Sequence, residues 1–204
     1  MKKQFHAITS GQQTKEEVIR IARSINPYID FLHIREKNRT AREVASLVRG
    51  LKDTGFPANK ILVNDRVDVA AVFRTAGAQL THSSLNVCET KRAFHELLIG
   101  ASIHSKEEAV SLVKSGADFL IYGNVFTTAS KVGKPGVGLE KLEELVNVVT
   151  VPVIGIGGIK PEHVTGILST GAAGIAVLSG VFLADDPVRS AKAYREQLDR
   201  EGVH

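Results

Sequence analysis

Short, nearly continuous apolar runs recur along this chain, and the segments between them carry apolar residues at helical spacing. The runs at residues 5–9, 31–35, 61–64, 78–80, 98–102, 119–122, 151–154 and 175–178 have the length of strands buried on both faces. The intervening pattern predicts helices over residues 14–24, 40–52, 65–75, 86–96, 105–115, 139–146, 161–169 and 187–200. Three of these helices open on a hydroxyl followed three residues later by Glu: Thr14 with Glu17, Thr40 with Glu43, and Ser105 with Glu108. That spacing lets side chain and backbone cap each other. Pro161 stands near the first helical position of another, where its missing N–H costs nothing. Eight strand–helix units in 204 residues fit one domain spanning residues 1–204. No G-x-G-x-x-G follows the first strand, so the pattern predicts a single-domain α/β fold, a (β/α)8 TIM barrel, rather than a doubly wound open sheet.

Barrels of this kind keep their chemistry at the C-terminal strand ends. The last third is the most telling there. Val151-Pro-Val-Ile-Gly-Ile-Gly-Gly-Ile159 and Gly171-Ala-Ala-Gly-Ile-Ala-Val-Leu-Ser-Gly180 each end an apolar run in small residues. Gly157, Gly158, Ser179 and Gly180 are therefore expected to offer backbone N–H groups to one phosphate dianion. Strand two ends in His33-Ile-Arg-Glu-Lys37, with His33 and Arg35 on one face by the period of a strand. Asn64 and Asp65 follow strand three, and Asp65 either caps the third helix or faces the mouth. Gln79 to Ser83 follows strand four, Ser102 and His104 end strand five, and strand six runs into Asn124, Thr127, Thr128 and Lys131. Arg35, Lys37, Asn64, Ser102, Thr127, Thr128 and Lys131 are the expected substrate-binding groups. His6 and His204 read as bystanders. The loop over 123–138 is the longest irregular stretch, a length usually kept for function.

Composition narrows the classes. Trp is absent, aromatics make up 5% of the chain, and the net charge of +4 is spread without a basic block, so neither base stacking nor a nucleic-acid arm is expected. Cys88 is the single cysteine, which excludes an internal disulfide. No run has transmembrane length, and the apolar stretch after Met1 is too short for a signal peptide, so no membrane association and a cytoplasmic location are expected. No Cys/His pattern or carboxylate cluster suggests a metal site, and no cofactor is expected.

The ordered set His33-Ile-Arg-Glu-Lys37, Asn64-Asp-Arg-Val-Asp-Val-Ala70, Gly100-Ala-Ser-Ile-His104, Gly123-Asn-Val-Phe-Thr-Thr128 with Lys131, and the two small-residue loops resembles the thiamine-phosphate synthase superfamily over essentially the whole chain. It resembles more closely the thiazole tautomerase (TenI) branch. The resemblance implies a homodimer acting on a thiazole phosphate. The reaction would be metal-independent aromatisation of a dihydrothiazole carboxylate phosphate, with a proton moving from the ring carbon bearing the carboxylate to the exocyclic carbon. Synthases instead join a pyrimidine diphosphate to a thiazole phosphate with Mg²⁺ assisting the departure of pyrophosphate. Their pattern has Gln where His33 stands, and a carboxylate after strand four, where this chain reads Leu80-Thr-His-Ser-Ser84. The resemblance thus ranks the tautomerase first, and a synthase or a non-catalytic phosphate-ligand binder or regulator as alternatives. The tautomerase branch also places a catalytic His where this chain has Asn124, an amide that takes no proton at neutral pH. His33, with Arg35 lowering its pKa, is the expected replacement, and His104 the reserve.

Overall fold

The computed structural model describes residues 3–128 and 135–200. Eight parallel strands close into a barrel in sequence order: β1 (Gln4–Ile8), β2 (Phe31–Ile34), β3 (Ile61–Asn64), β4 (Gly77–Leu80), β5 (Leu98–Ile103), β6 (Phe119–Gly123), β7 (Val153–Ile156) and β8 (Gly174–Val177), the last pairing with β1. Helices α1 (Lys15–Ile25), α2 (Ala41–Asp53), α3 (Val67–Phe73), α4 (Val87–Ala93), α5 (Lys106–Lys114), α6 (Gly138–Val146), α7 (Val164–Ser169), α8 (Ser179–Phe182) and α9 (Pro187–Arg200) connect and surround them.

The expected caps form. Thr14 and Thr40 accept from the N–H of Glu17 and Glu43, whose carboxylates return to the threonine N–H groups. Ser105 accepts from the Glu108 N–H, but Glu108 reaches one residue further back, to the N–H of His104 at 2.6 Å. The seventh β-strand starts at Val153 rather than residue 151, because Pro152 has no N–H to enter the ladder. The third helix starts at Val67, two residues later than the pattern predicts. Asp65 takes a left-handed backbone, φ 61°, and breaks the helical run. The segment expected as one helix over 161–169 is a 3₁₀ turn, Pro161–His163, followed by α7.

Two apolar layers result. The larger packs the outer strand faces on the helices, with Phe5, Leu32, Leu47, Leu51, Ile99 and Leu120 fully buried. The smaller fills the barrel itself: Ile8, Leu62, Phe119, Ile121, Ile154 and Ala176. At the N-terminal end, Arg195 of α9 reaches Asp30 at 2.8 Å and the Lys3 carbonyl at 3.1 Å, and Asp30 also accepts from the Phe5 N–H. This joins the last helix to the first strand and leaves the opposite end of the barrel to the loops. No helix among the described residues is long and apolar enough to cross a membrane.

Candidate active site

The expected site residues divide between the floor of the mouth and its rim. His33 lies inside the barrel, fully buried, and not at the rim as expected. Its Nε2 is 2.8 Å from Nδ1 of His6, and His6 Nε2 is 2.9 Å from Gln4 Oε1. His6 is therefore no bystander. Sequence alone gives little signal for this pairing, since the two rings are 27 residues apart and meet only through the register of β1 on β2. Burial drives the His33 pKa down to about 3, partly opposed by the neighbouring Asn64 amide, whose oxygen favours a protonated ring; it is burial, not the charge of Arg35, that keeps this ring neutral. A ring so reluctant to take a proton is a poor general base at neutral pH, which removes the main argument for His33 as the proton carrier.

On the next strands, Asn64 and Gln79 are register partners. Gln79 donates to Ser102 Oγ at 3.0 Å, while Gln79 Oε1 and Asn64 Oδ1 are buried without a hydrogen-bond donor. Gln79, read from sequence as lying after strand four, belongs to the strand and is 1% exposed.

The rim carries the charge. Arg35 follows β2, its N–H bonded to Thr9 Oγ1 at 2.9 Å, and its guanidinium is partly exposed with no partner among the described residues. Lys37 and Thr127 are exposed and Thr128 half-buried. Lys131 lies outside the described residues. Asp65 does not cap α3, which begins without a side-chain cap. Its Oδ1 instead accepts from Ser84 Oγ and, at 3.3 Å, from Thr81 Oγ1, tying the β3 and β4 loops together. His104 is exposed, with Nδ1 3.2 Å from the Gly123 carbonyl. A carbonyl only accepts, so Nδ1 carries the proton and Nε2 keeps its lone pair.

Asn124 is anchored in the loop after β6. It is 6% exposed, and its Nδ2 donates to the Phe126 carbonyl at 3.1 Å. The peptide Gly123–Asn124 is cis. The loop it begins is bonded along β7, from Val125 N–H to Ile156 O and from Phe126 N–H to Gly157 O. Gly157 and Gly158 have φ of 99° and 65°, and a side chain at either would run into this loop, at Asn124 or at Phe126 and Thr127. Ser179 is exposed at the start of α8, and Gly180 packs beneath the Tyr194 hydroxyl. Among the described residues no three His, Cys, Asp or Glu side chains gather as a metal cluster.

This barrel, with its polar floor and basic rim, matches a known sequence family. The profile described as thiamine monophosphate synthase covers residues 5–181. The chain belongs to that family. It is 33% identical over 193 residues to the thiamine-phosphate synthase of Pyrococcus horikoshii, covering 94% of this chain and 93% of that protein. The corresponding protein of Haloarcula marismortui is 32% identical over 200 residues, covering 95% and 94%. A solved structure, thiamine phosphate pyrophosphorylase from Pyrococcus furiosus, superposes with a TM-score of 0.85 at 32% identity, covering 98% of this chain and 96% of that one. The relatives are thus named as synthases or pyrophosphorylases, not tautomerases. They support an enzyme of thiamine biosynthesis, and they favour synthase over the tautomerase expected from the resemblance.

Proposed function

We propose that this chain binds a thiazole phosphate at the mouth of its barrel and acts as a thiamine-phosphate synthase. The observation that carries the reading is whole-length similarity to proteins of that name, at 32–33% identity and with the same fold. In this reaction the thiazole nitrogen attacks the methylene of a pyrimidine diphosphate, and the bond from that methylene to the diphosphate oxygen breaks. Arg35 and Lys37, at the end of β2, supply positive charge toward the anionic substrates. The loops at Gly157, Gly158, Ser179 and Gly180 are proposed to hold the thiazole phosphate through backbone N–H groups. Mg²⁺, which the resemblance implies, would neutralise charge on the departing pyrophosphate. Such an ion is commonly held through one or two carboxylates plus the phosphates of the substrate. Asp65 fits the part of a single anchor. It is exposed at the mouth, and its one hydroxyl-bonded oxygen, Oδ1, fixes its direction.

A second reading, proton transfer on a dihydrothiazole carboxylate phosphate, is favoured by one specific observation. His104 presents an open Nε2 at the mouth while its Nδ1–H is fixed on Gly123. The strand-four loop, Leu80-Thr-His-Ser-Ser84, which has no acid where the synthase pattern carries one, points the same way. One experiment separates the readings: purified protein is given each substrate set with and without EDTA. A synthase yields thiamine phosphate and pyrophosphate in equal amounts and stops with chelator. A tautomerase yields the aromatic thiazole whether or not chelator is present. Binding of thiazole phosphate without either product identifies a binder or regulator and overturns both.

A further inference from the structure

Gln79 stands on β4 inside the barrel, buried, with its two ends in different company. Its Nε2 lies 3.0 Å from Ser102 Oγ and 3.4 Å from the Leu80 carbonyl. A carbonyl only accepts, so the amide NH₂ occupies that end and directs one hydrogen at each oxygen. The other end, Oε1, meets no donor. It lies over Gly100, the register partner of Gln79 on β5, where a side chain would strike both Oε1 and the Phe119 ring. A bare strand position therefore seats the amide, and Phe119 closes the space beside it.

Stability does not account for such an amide. A buried acceptor without a donor has given up its water and gained no bond in return. An unbranched apolar side chain of similar length would fill the same place without that penalty. What the amide supplies is a direction. By donating to Ser102 Oγ it fills one lone pair of the hydroxyl and leaves the hydroxyl proton for an acceptor elsewhere. No described residue takes that proton, and Ser102, unlike Gln79, is only half-buried. The donated bond also polarises the hydroxyl and strengthens it as a donor. Ser102 stands two residues beyond Gly100 toward the C-terminal end of β5, on the side of the mouth.

We infer that Gln79 is a positioning residue: it fixes the Ser102 hydroxyl as a hydrogen-bond donor aimed at an anionic oxygen of a substrate in the mouth. Gln79 touches no substrate in this scheme and acts only through Ser102. The inference rests on the mouth being the site of the phosphorylated substrates proposed above. A hydroxyl donating to a charged oxygen makes one of the stronger hydrogen bonds, and both substrates bring such oxygens. The thiazole carries a monophosphate and the pyrimidine a diphosphate.

The test is a double-mutant cycle on the full chain, read by calorimetry with two probes, hydroxyethylthiazole phosphate and inorganic pyrophosphate with Mg²⁺. Gln79→Met removes the amide and keeps the length of the side chain. It is expected to weaken at least one probe about fivefold, while the urea midpoint stays at or above that of the wild type. The probe affected identifies the substrate that Ser102 meets. In Ser102→Ala, which has no hydroxyl to orient, adding Gln79→Met is expected to change neither affinity. A merely structural amide gives the reverse: a lower midpoint, and the same loss of affinity with or without Ser102. Either result overturns the inference, and so does unchanged affinity for both probes in Gln79→Met. Gln79→Leu serves where the methionine variant does not fold, and a barrel that folds with neither overturns the inference as well. A wild type that binds neither probe sinks the proposed substrates and the inference together. A wild type that binds them, with affinities indifferent to Gln79→Met, sinks the inference alone.

Discussion

Asn124 and Gly157 occupy each other's space: the Cα and Cβ of Asn124 fill the volume into which any side chain at 157 would project. The glycine is thus fixed by the loop after β6 before any ligand is considered. Gly157→Ala is expected to destabilise the protein by about 2–4 kcal/mol, combining a left-handed backbone penalty with a steric clash. Urea denaturation checks this, and stability equal to wild type would mean that the loop moves aside. The same geometry governs Gly158, where a side chain meets the Thr127 carbonyl. Lost phosphate binding in a Gly158 variant therefore does not by itself assign the phosphate to that loop, whereas Ser179→Ala perturbs an exposed residue and probes the phosphate more directly.

How far the sequence reads depends on the range of the interaction. The barrel is legible because its determinants are local: apolar runs of strand length, and capping pairs such as Thr14 with Glu17 that form as expected. The rim is legible for the same reason, since Arg35 and His104 follow strands whose ends can be counted. The floor is not. A lone histidine such as His6 on an apolar strand carries no sign of a partner 27 residues away. Asn124 read as a vacated catalytic position, yet its amide holds the Phe126 carbonyl. Asp65 read as a possible cap because nothing in an Asn-Asp-Arg run announces a left-handed residue. The ranking of tautomerase over synthase turned on two positions, His33 and the acid-free strand-four loop, whereas the similarity to synthases runs over the whole chain.

The buried histidines impose an acid limit on stability. Unfolded, His33 takes a proton near its ordinary value of 6.5; folded, it resists until about pH 3. Between those values the unfolded chain binds more protons, so stability falls as pH falls, by about 1.4 kcal/mol per pH unit for one such group. His6 is shifted in the same direction. The contribution is fully present above pH 6.5. Urea midpoints measured from pH 7 to pH 4 are expected to drop steadily, and His33→Gln is expected to flatten the slope. An equally steep slope in that variant would place the acid sensitivity elsewhere.

Arg35 is expected to require its guanidinium, not merely its charge. It stands at the end of β2 with its backbone anchored to Thr9 and its side chain unpartnered among the described residues. A guanidinium meets a carboxylate or phosphate with two parallel bonds, which an ammonium does not reproduce. Arg35→Lys is expected to weaken the anionic substrate about tenfold, close to the worth of one charge-assisted hydrogen bond. Calorimetric affinity equal to wild type would remove Arg35 from the anion site.

His104 is an imidazole at the mouth with one ring nitrogen open. Its Nδ1–H is held by the Gly123 carbonyl and its backbone by Glu108, so the free Nε2 has a fixed direction beside the Asn124 loop. If the protein moves a proton on the thiazole, His104→Gln is expected to slow aromatisation by about 10²–10⁴-fold, the usual range for a positioned general base, with thiazole phosphate affinity retained. Asn124→His is the complementary change. A histidine Nδ1–H replaces the amide in the bond to Phe126, and its Nε2 extends past it, so the variant is expected to gain rate. If the protein is a synthase, neither change touches the bond that breaks. Thiamine phosphate formation then persists in His104→Gln and fails in Asp65→Asn, which removes the carboxylate charge at the metal's only proposed protein anchor. The two variants assayed side by side therefore assign the chemistry. Loss only with His104→Gln means proton transfer, loss only with Asp65→Asn means pyrophosphate departure, and loss with neither would remove both groups from the reaction.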